Sequence, residues 1–81
     1  MSIPKQLKLF FKIHYENPGK KTLIAKQREG LWILELHVAH KTVSIYELET
    51  KRGEIRKFKQ LNAIVKLLLN YGVSEFTVEI R

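Results

Sequence analysis

The sequence predicts an α+β domain: an antiparallel β-sheet of about five or six strands, one helix packed on one face of it, and a C-terminal strand after that helix. Three observations lead to this class. Apolar and polar residues alternate through most of the chain before Thr50, the apolar spacing changes to three and four after Gln60, and alternation returns beyond Gly72. The chain has 81 residues, enough for one domain with a small core and too few for a second compact unit. Hydrophobic residues make up 44 % of it, which is too rich for a disordered basic tail. A single compact basic domain is therefore expected over 1–81, flexible at residues 1–5.

Leu7, Leu9, Phe11, Ile13 and Tyr15 fall on one face of a period-two pattern, with Lys8, Lys12 and His14 on the other, so the first strand is expected here. Glu16-Asn17-Pro18-Gly19 supplies a turn, since proline presets φ and glycine accepts a positive one. A second strand runs through Thr22 to Lys26, and Glu29-Gly30 marks the next tight connection. In the third strand Trp32, Leu34, Leu36 and Val38 share the core side, against Ile33, Glu35 and His37. Thr42 to Thr50, with Val43, Ile45 and Tyr46, is rich enough in β-formers for a fourth. Arg52-Gly53 then reads as the turn of a hairpin whose short return strand is Glu54 to Phe58. Starting the helix at Glu54 instead would place cations on its first turns, where the helix dipole disfavours them.

From Gln60 onward Leu61, Ile64, Val65, Leu68 and Tyr71 make one helical stripe. Gly72 provides a left-handed cap just beyond it. Phe76, Val78 and Ile80 then restore strict alternation in the final strand.

The formal net charge is +7, from 15 lysines and arginines against 8 acids. This balance points to a polyanionic partner, DNA or RNA above all. The densest signal is Lys51 to Lys59, where Lys51, Arg52, Arg56, Lys57 and Lys59 surround Gly53. These five are the candidate phosphate contacts, with Lys8, Lys12, Lys26 and Arg28 extending the positive surface. Phe10, between Lys8 and Lys12 on the first strand, is the candidate for stacking on an exposed base. A duplex reader would insert the hairpin in a groove, whereas a single-strand binder would use Phe10. The competing reading buries Phe10, Ile24 and Ile33 in a homodimer or other self-assembly interface, with the charge recruiting an acidic protein or maintaining solubility.

Arg52-Gly53-Glu54-Ile55-Arg56-Lys57-Phe58, followed by Leu61, Ala63 and the Gly72-Val73 boundary, resembles a segment of small plasmid-borne accessory proteins associated with partition or maintenance. The resemblance covers about the last third of the chain. It implies a DNA-linked role on a mobile element, in an oligomeric protein.

Catalysis finds no support in the residue inventory, and no enzyme activity is expected. The chain holds no aspartate and no cysteine, so thiolate metal sites and disulfides are excluded. His37 and His40 stand three apart, a spacing that diverges in a strand, and no metal or other cofactor is expected. Dinucleotide fingerprints, phosphate loops and zinc spacings are missing. Nothing at the N-terminus resembles a signal peptide, and the longest apolar runs fall far below a membrane span. A cytoplasmic location with no membrane partner is the corresponding expectation.

Overall fold

A computed structural model describes residues 2–16 and 19–80. In chain order the elements are β1 (Ser2–Gln6), α1 (Leu7–Glu16), β2 (Lys20–Arg28), β3 (Leu31–Ala39), β4 (Val43–Glu49), α2 (Leu61–Asn70) and β5 (Thr77–Glu79). The strands form one five-stranded sheet in the order β1-β4-β3-β2-β5. The α+β class, the strands at β2, β3 and β4, and a helix followed by a C-terminal strand all agree with the sequence reading. Asn17 and Pro18, the centre of the first expected turn, lie outside the described residues.

Three features differ from expectation. Leu7 to Tyr15 is helical rather than extended. Its apolar residues satisfy both periods, because Leu7, Phe10 and Phe11 stand at i, i+3 and i+4 while the odd positions alternate. Packing decides between them: adjacent Phe10 and Phe11 are both buried, and Leu9 is half exposed. A strand would send Phe10 and Phe11 to opposite faces, whereas the helix brings both into one core cluster. Leucine, lysine and phenylalanine carry little penalty in a helix, and no β-branched residue appears before Ile13.

The sheet is mixed, not antiparallel. Ser2–Gln6, which overlaps the residues 1–5 expected to be flexible, forms β1 and runs parallel to β4, pairing Ser2 with Ile45 through to Gln6 with Glu49. Pro4 is tolerated because β1 is an edge strand. At the opposite edge β5 runs parallel to β2, pairing Ile24 with Thr77 and Lys26 with Glu79. The β2-β3 and β3-β4 pairs in the middle are antiparallel. Consequently α1 and α2 are both crossovers, each carrying the chain between strands that point the same way.

The return strand Glu54 to Phe58 is the third difference. Gly53 N–H donates to Thr50 O and Thr50 N–H to Glu54 O, so the expected turn forms. Arg56 N–H then donates to Leu48 O, with Glu49 bridged to Ile55. Beyond that point the segment leaves β4. Phe58 instead exchanges both backbone hydrogen bonds with Trp32 at the start of β3. The ladder between β3 and β4 begins only at Glu35 and Glu47. The segment thus fills the gap that opens between the two strands, serving each with one bridge and neither with a strand.

Both helices cover the same face. Leu23 and Ala25 of β2, Leu34, Leu36 and Val38 of β3, and Leu48 of β4 meet Phe10 and Phe11 of α1 and Ile64 and Leu68 of α2, with Phe58 and Val73 completing the core. Trp32 packs against this cluster, as its pattern predicts. Helix α2 ends as expected: Gly72 takes φ 77°, its N–H donates to Leu69 O, and Val73 N–H donates to Leu68 O. This is the paired C-terminal cap that glycine permits, and buried Val73 supplies its hydrophobic contact. No helix among the described residues is long and apolar enough to cross a membrane.

Candidate functional site

Strand β1 passes directly into α1, and its parallel neighbour β4 passes into the basic loop, so both connections leave the carboxyl end of a parallel pair. Open sheets with parallel strands place their crevices at such ends. A cleft of about 440 Å³ lies there, lined by Leu7 and Lys8 of α1, Glu49, Thr50, Lys51, Arg56 and Tyr71. Three of the lining residues are cationic and one is a glutamate, a formal charge of +2. Lys8 comes from the first element after β1, and Lys51 and Arg56 from the far side of β4. The fold has joined two groups of cations that the sequence holds well apart.

Local structure fixes each wall. Thr50 Oγ1 accepts from the backbone N–H groups of Arg52 at 3.3 Å and Glu54 at 3.4 Å, which pins the loop and leaves the hydroxyl proton to donate. The Arg56 guanidinium lies 5.2 Å from the centre of the buried Phe58 ring, a cation-π distance that holds the side chain at the loop's base. Tyr71 stacks on Phe11 with ring centres 4.1 Å apart and planes 7° from parallel. The Tyr15 hydroxyl donates to Tyr71 O, so α1 grips the end of α2 from two positions.

The other predicted residues divide between two surfaces. Lys12 is exposed on α1 one helical turn after Lys8, and Lys51, Arg52, Lys57 and Lys59 are exposed on the loop. Lys26 and Arg28 lie elsewhere, on the sheet face that no helix covers, and both are engaged. Lys26 Nζ sits 3.2 Å from Glu35 Oε1 and 3.9 Å from Glu79 Oε1, and Arg28 Nη2 sits 3.9 Å from Glu47 Oε2. His37 Nε2 is 2.8 Å from Glu35 Oε1. That face therefore carries mixed charge and does not extend the positive surface.

Phe10 requires a correction. It is fully buried, in edge-to-face contact with Phe11, and so offers no face to a base. The helical conformation of α1 is the cause, since it turns Phe10 inward with Phe11 while Lys8 and Lys12 stay in solvent. Sequence reasoning missed Thr50 and Tyr71. The only signal for Tyr71 was its place at the end of the α2 stripe, and a threonine before a basic run carries none.

The histidines form no metal centre, and among the described residues no group of three or more histidines and acids could hold an ion. His14 Nδ1 is buried without a hydrogen-bond partner. Burial, and then the charge of Lys21, hold the His14 pKa below the ordinary histidine value. No protein-family model, curated protein or solved structure matches the chain.

Proposed function

We propose that this chain is a small, non-catalytic nucleic-acid-binding accessory protein that grips the phosphate backbone with the Lys51–Lys59 loop and the neighbouring α1 lysines. The observation that carries the reading is the exposed row of Arg52, Lys57 and Lys59 on the loop, with Lys8 and Lys12 exposed on α1 beside it. Chance solvation of charge does not require cations held so far apart in the sequence as Lys8 and Lys51 to line one cleft. Exposed Arg52, Lys57 and Lys59 continue the surface outward from that point. With Phe10 in the core, base stacking loses its platform, and backbone contact becomes the favoured mode. The resemblance of the last third to small plasmid-borne partition and maintenance accessory proteins is the ground for reading this activity as one carried on a mobile element.

The self-assembly reading draws less support. Of the apolar residues it invoked, Phe10 is in the core, Ile33 is fully buried within the single chain, and Ile24 alone stays partly exposed on the open sheet face.

Titration of duplex DNA at several salt concentrations tests the proposal. Replacing Arg52, Lys57 and Lys59 by glutamine removes three phosphate contacts, and the log-affinity against log-salt slope is expected to fall in magnitude by about 2.7. A folded variant with unchanged affinity and slope would show that the loop does not touch phosphate. Binding no tighter than micromolar to both single- and double-stranded oligonucleotides at low salt would sink the function itself.

A further inference from the structure

The exposed loop and the cleft beneath it present different shapes to a polyanion. Arg52 is exposed on the turn and Lys57 and Lys59 are exposed on either side of Phe58 in the segment that follows, an open row that suits a continuous backbone running past. Lys8, Lys51 and Arg56 instead converge on a concavity of about 440 Å³, closed at one side by Tyr71. A concave cationic site favours a group that can enter it, and an interior phosphodiester, flanked by sugars on both sides, enters poorly. A chain end or a free nucleotide does not have that restriction.

Charge points the same way. Each interior phosphodiester carries one negative charge, whereas a phosphate monoester carries about −1.5 to −2 near neutral pH. The cleft's three cations and Glu49 sum to +2, which matches the monoester. Its donors also suit a terminal group with three free oxygens: Lys8 supplies an ammonium, Arg56 a planar guanidinium and Thr50 a hydroxyl. Leu7 and Lys8 are the first residues of α1, so the positive end of its dipole borders the same space and adds to the field. On the apolar side stand Leu7 and Tyr71, with one face of the Tyr71 ring already held by Phe11.

We propose that the cleft between α1 and the basic loop binds the phosphate monoester of a nucleotide, either the phosphorylated end of a strand or a free nucleoside monophosphate. The proposal rests on the nucleic-acid reading for its choice of nucleotide, but the site is distinct from the loop surface that holds the backbone. Lys8 and Arg56 are its specificity-determining residues.

The test compares two oligothymidylates of equal length, one with a 5′-phosphate and one with a 5′-hydroxyl, alongside uridine 5′-monophosphate and inorganic phosphate as free anions. The 5′-phosphorylated strand is expected to bind about tenfold more tightly, the worth of one charge-assisted hydrogen bond. Lys8→Gln and Arg56→Gln should each bring that ratio towards one. Lys8 is exposed, so its variant keeps the fold even if loss of the contact between Arg56 and Phe58 loosens the other. Arg52→Gln combined with Lys57→Gln should weaken both strands together and preserve the ratio.

The free anions separate the two sources. Binding of uridine 5′-monophosphate that shifts the amide resonances of Lys8, Thr50 and Tyr71, with neither oligonucleotide bound, would support the cleft as a nucleotide site while removing the nucleic-acid function. A tenfold ratio without binding of either free anion would identify the strand end as the ligand. Equal, tight binding of both strands, with no shift from either free anion, would overturn the cleft assignment and leave the backbone function standing.

Discussion

Arg28 on β2 and Glu47 on β4 meet at 3.9 Å across the strand between them, and the diagonal that joins them passes the position of Ile33. The register requires this. Arg28 is paired with Leu31, and Glu47 with Glu35, so the diagonal joining them crosses β3 at position 33. Ile33 is accordingly fully buried, although it points away from both helices and belongs to no part of the main core. The register sets two long charged side chains of β2 beside it on the open face, Lys26 directly opposite and Arg28 on the diagonal, and methylene stems of this kind shield apolar neighbours.

The first prediction follows from that cover. Arg28 is 45 % exposed, so the ion pair itself adds little, and the stabilisation comes from shielding Ile33. Arg28→Ala is expected to cost about 1 kcal/mol in denaturant unfolding. Arg28→Met, which retains a long apolar stem, should recover most of it. Equal losses in the two variants would assign the effect to charge instead.

A second prediction concerns Glu35, whose carboxylate is buried on the same face between Lys26 and His37. Removing one partner of a buried carboxylate costs more than the pair contributes when intact. Lys26→Met is expected to destabilise the fold by about 1–2 kcal/mol, discounted because the lysine is partly exposed. The same variant should leave the salt slope of DNA binding unchanged, since Lys26 lies on the face opposite the helices. A slope that falls by about one would return Lys26 to the phosphate-binding surface.

Strand β3 was legible because its alternation admits only one reading: Leu34, Leu36 and Val38 enter the core, and Ile33, Glu35 and His37 face the other way. Helix α2 was legible for the same reason, with Gly72 fixing its end. Residues 7–15 were ambiguous because their apolar positions serve both periods, and only tertiary packing selects one. Strand β1 escaped notice because a short segment containing Pro4 has almost no pattern of its own and owes its conformation to β4. The cleft shared this difficulty. The sequence marked Lys8, Lys51 and Arg56 individually, but their meeting depends on a parallel pairing that no local signal announces.

The helical reading of residues 7–16 makes a sharp distinction between neighbours. Phe10→Ala empties a fully buried site and is expected to cost about 3–5 kcal/mol, enough to unfold much of a domain this small. Leu9→Ala removes a half-exposed side chain and should change stability by no more than about 0.5 kcal/mol. A strand would reverse the order, because Leu9 would then share the core face with Leu7 and Phe11. Chemical denaturation of the two variants decides between these outcomes.

The last prediction is a pH dependence centred on His14. Its Nδ1 is buried without a partner, and burial together with Lys21 holds its folded-state pKa below the ordinary 6.5. An unfolded chain therefore takes up a proton on His14 as the pH falls through 6.5, while the folded protein resists doing so. Stability is present in full above that value, declines as the pH drops below it, and stops declining on this account once the folded form is also protonated. His14→Leu removes the titration and fills the same half-buried space with apolar atoms. Denaturation midpoints at pH 8 and pH 5 should thus move less in His14→Leu than in the parent protein. Equal shifts in the parent and His14→Leu would show that the proton uptake belongs to another group.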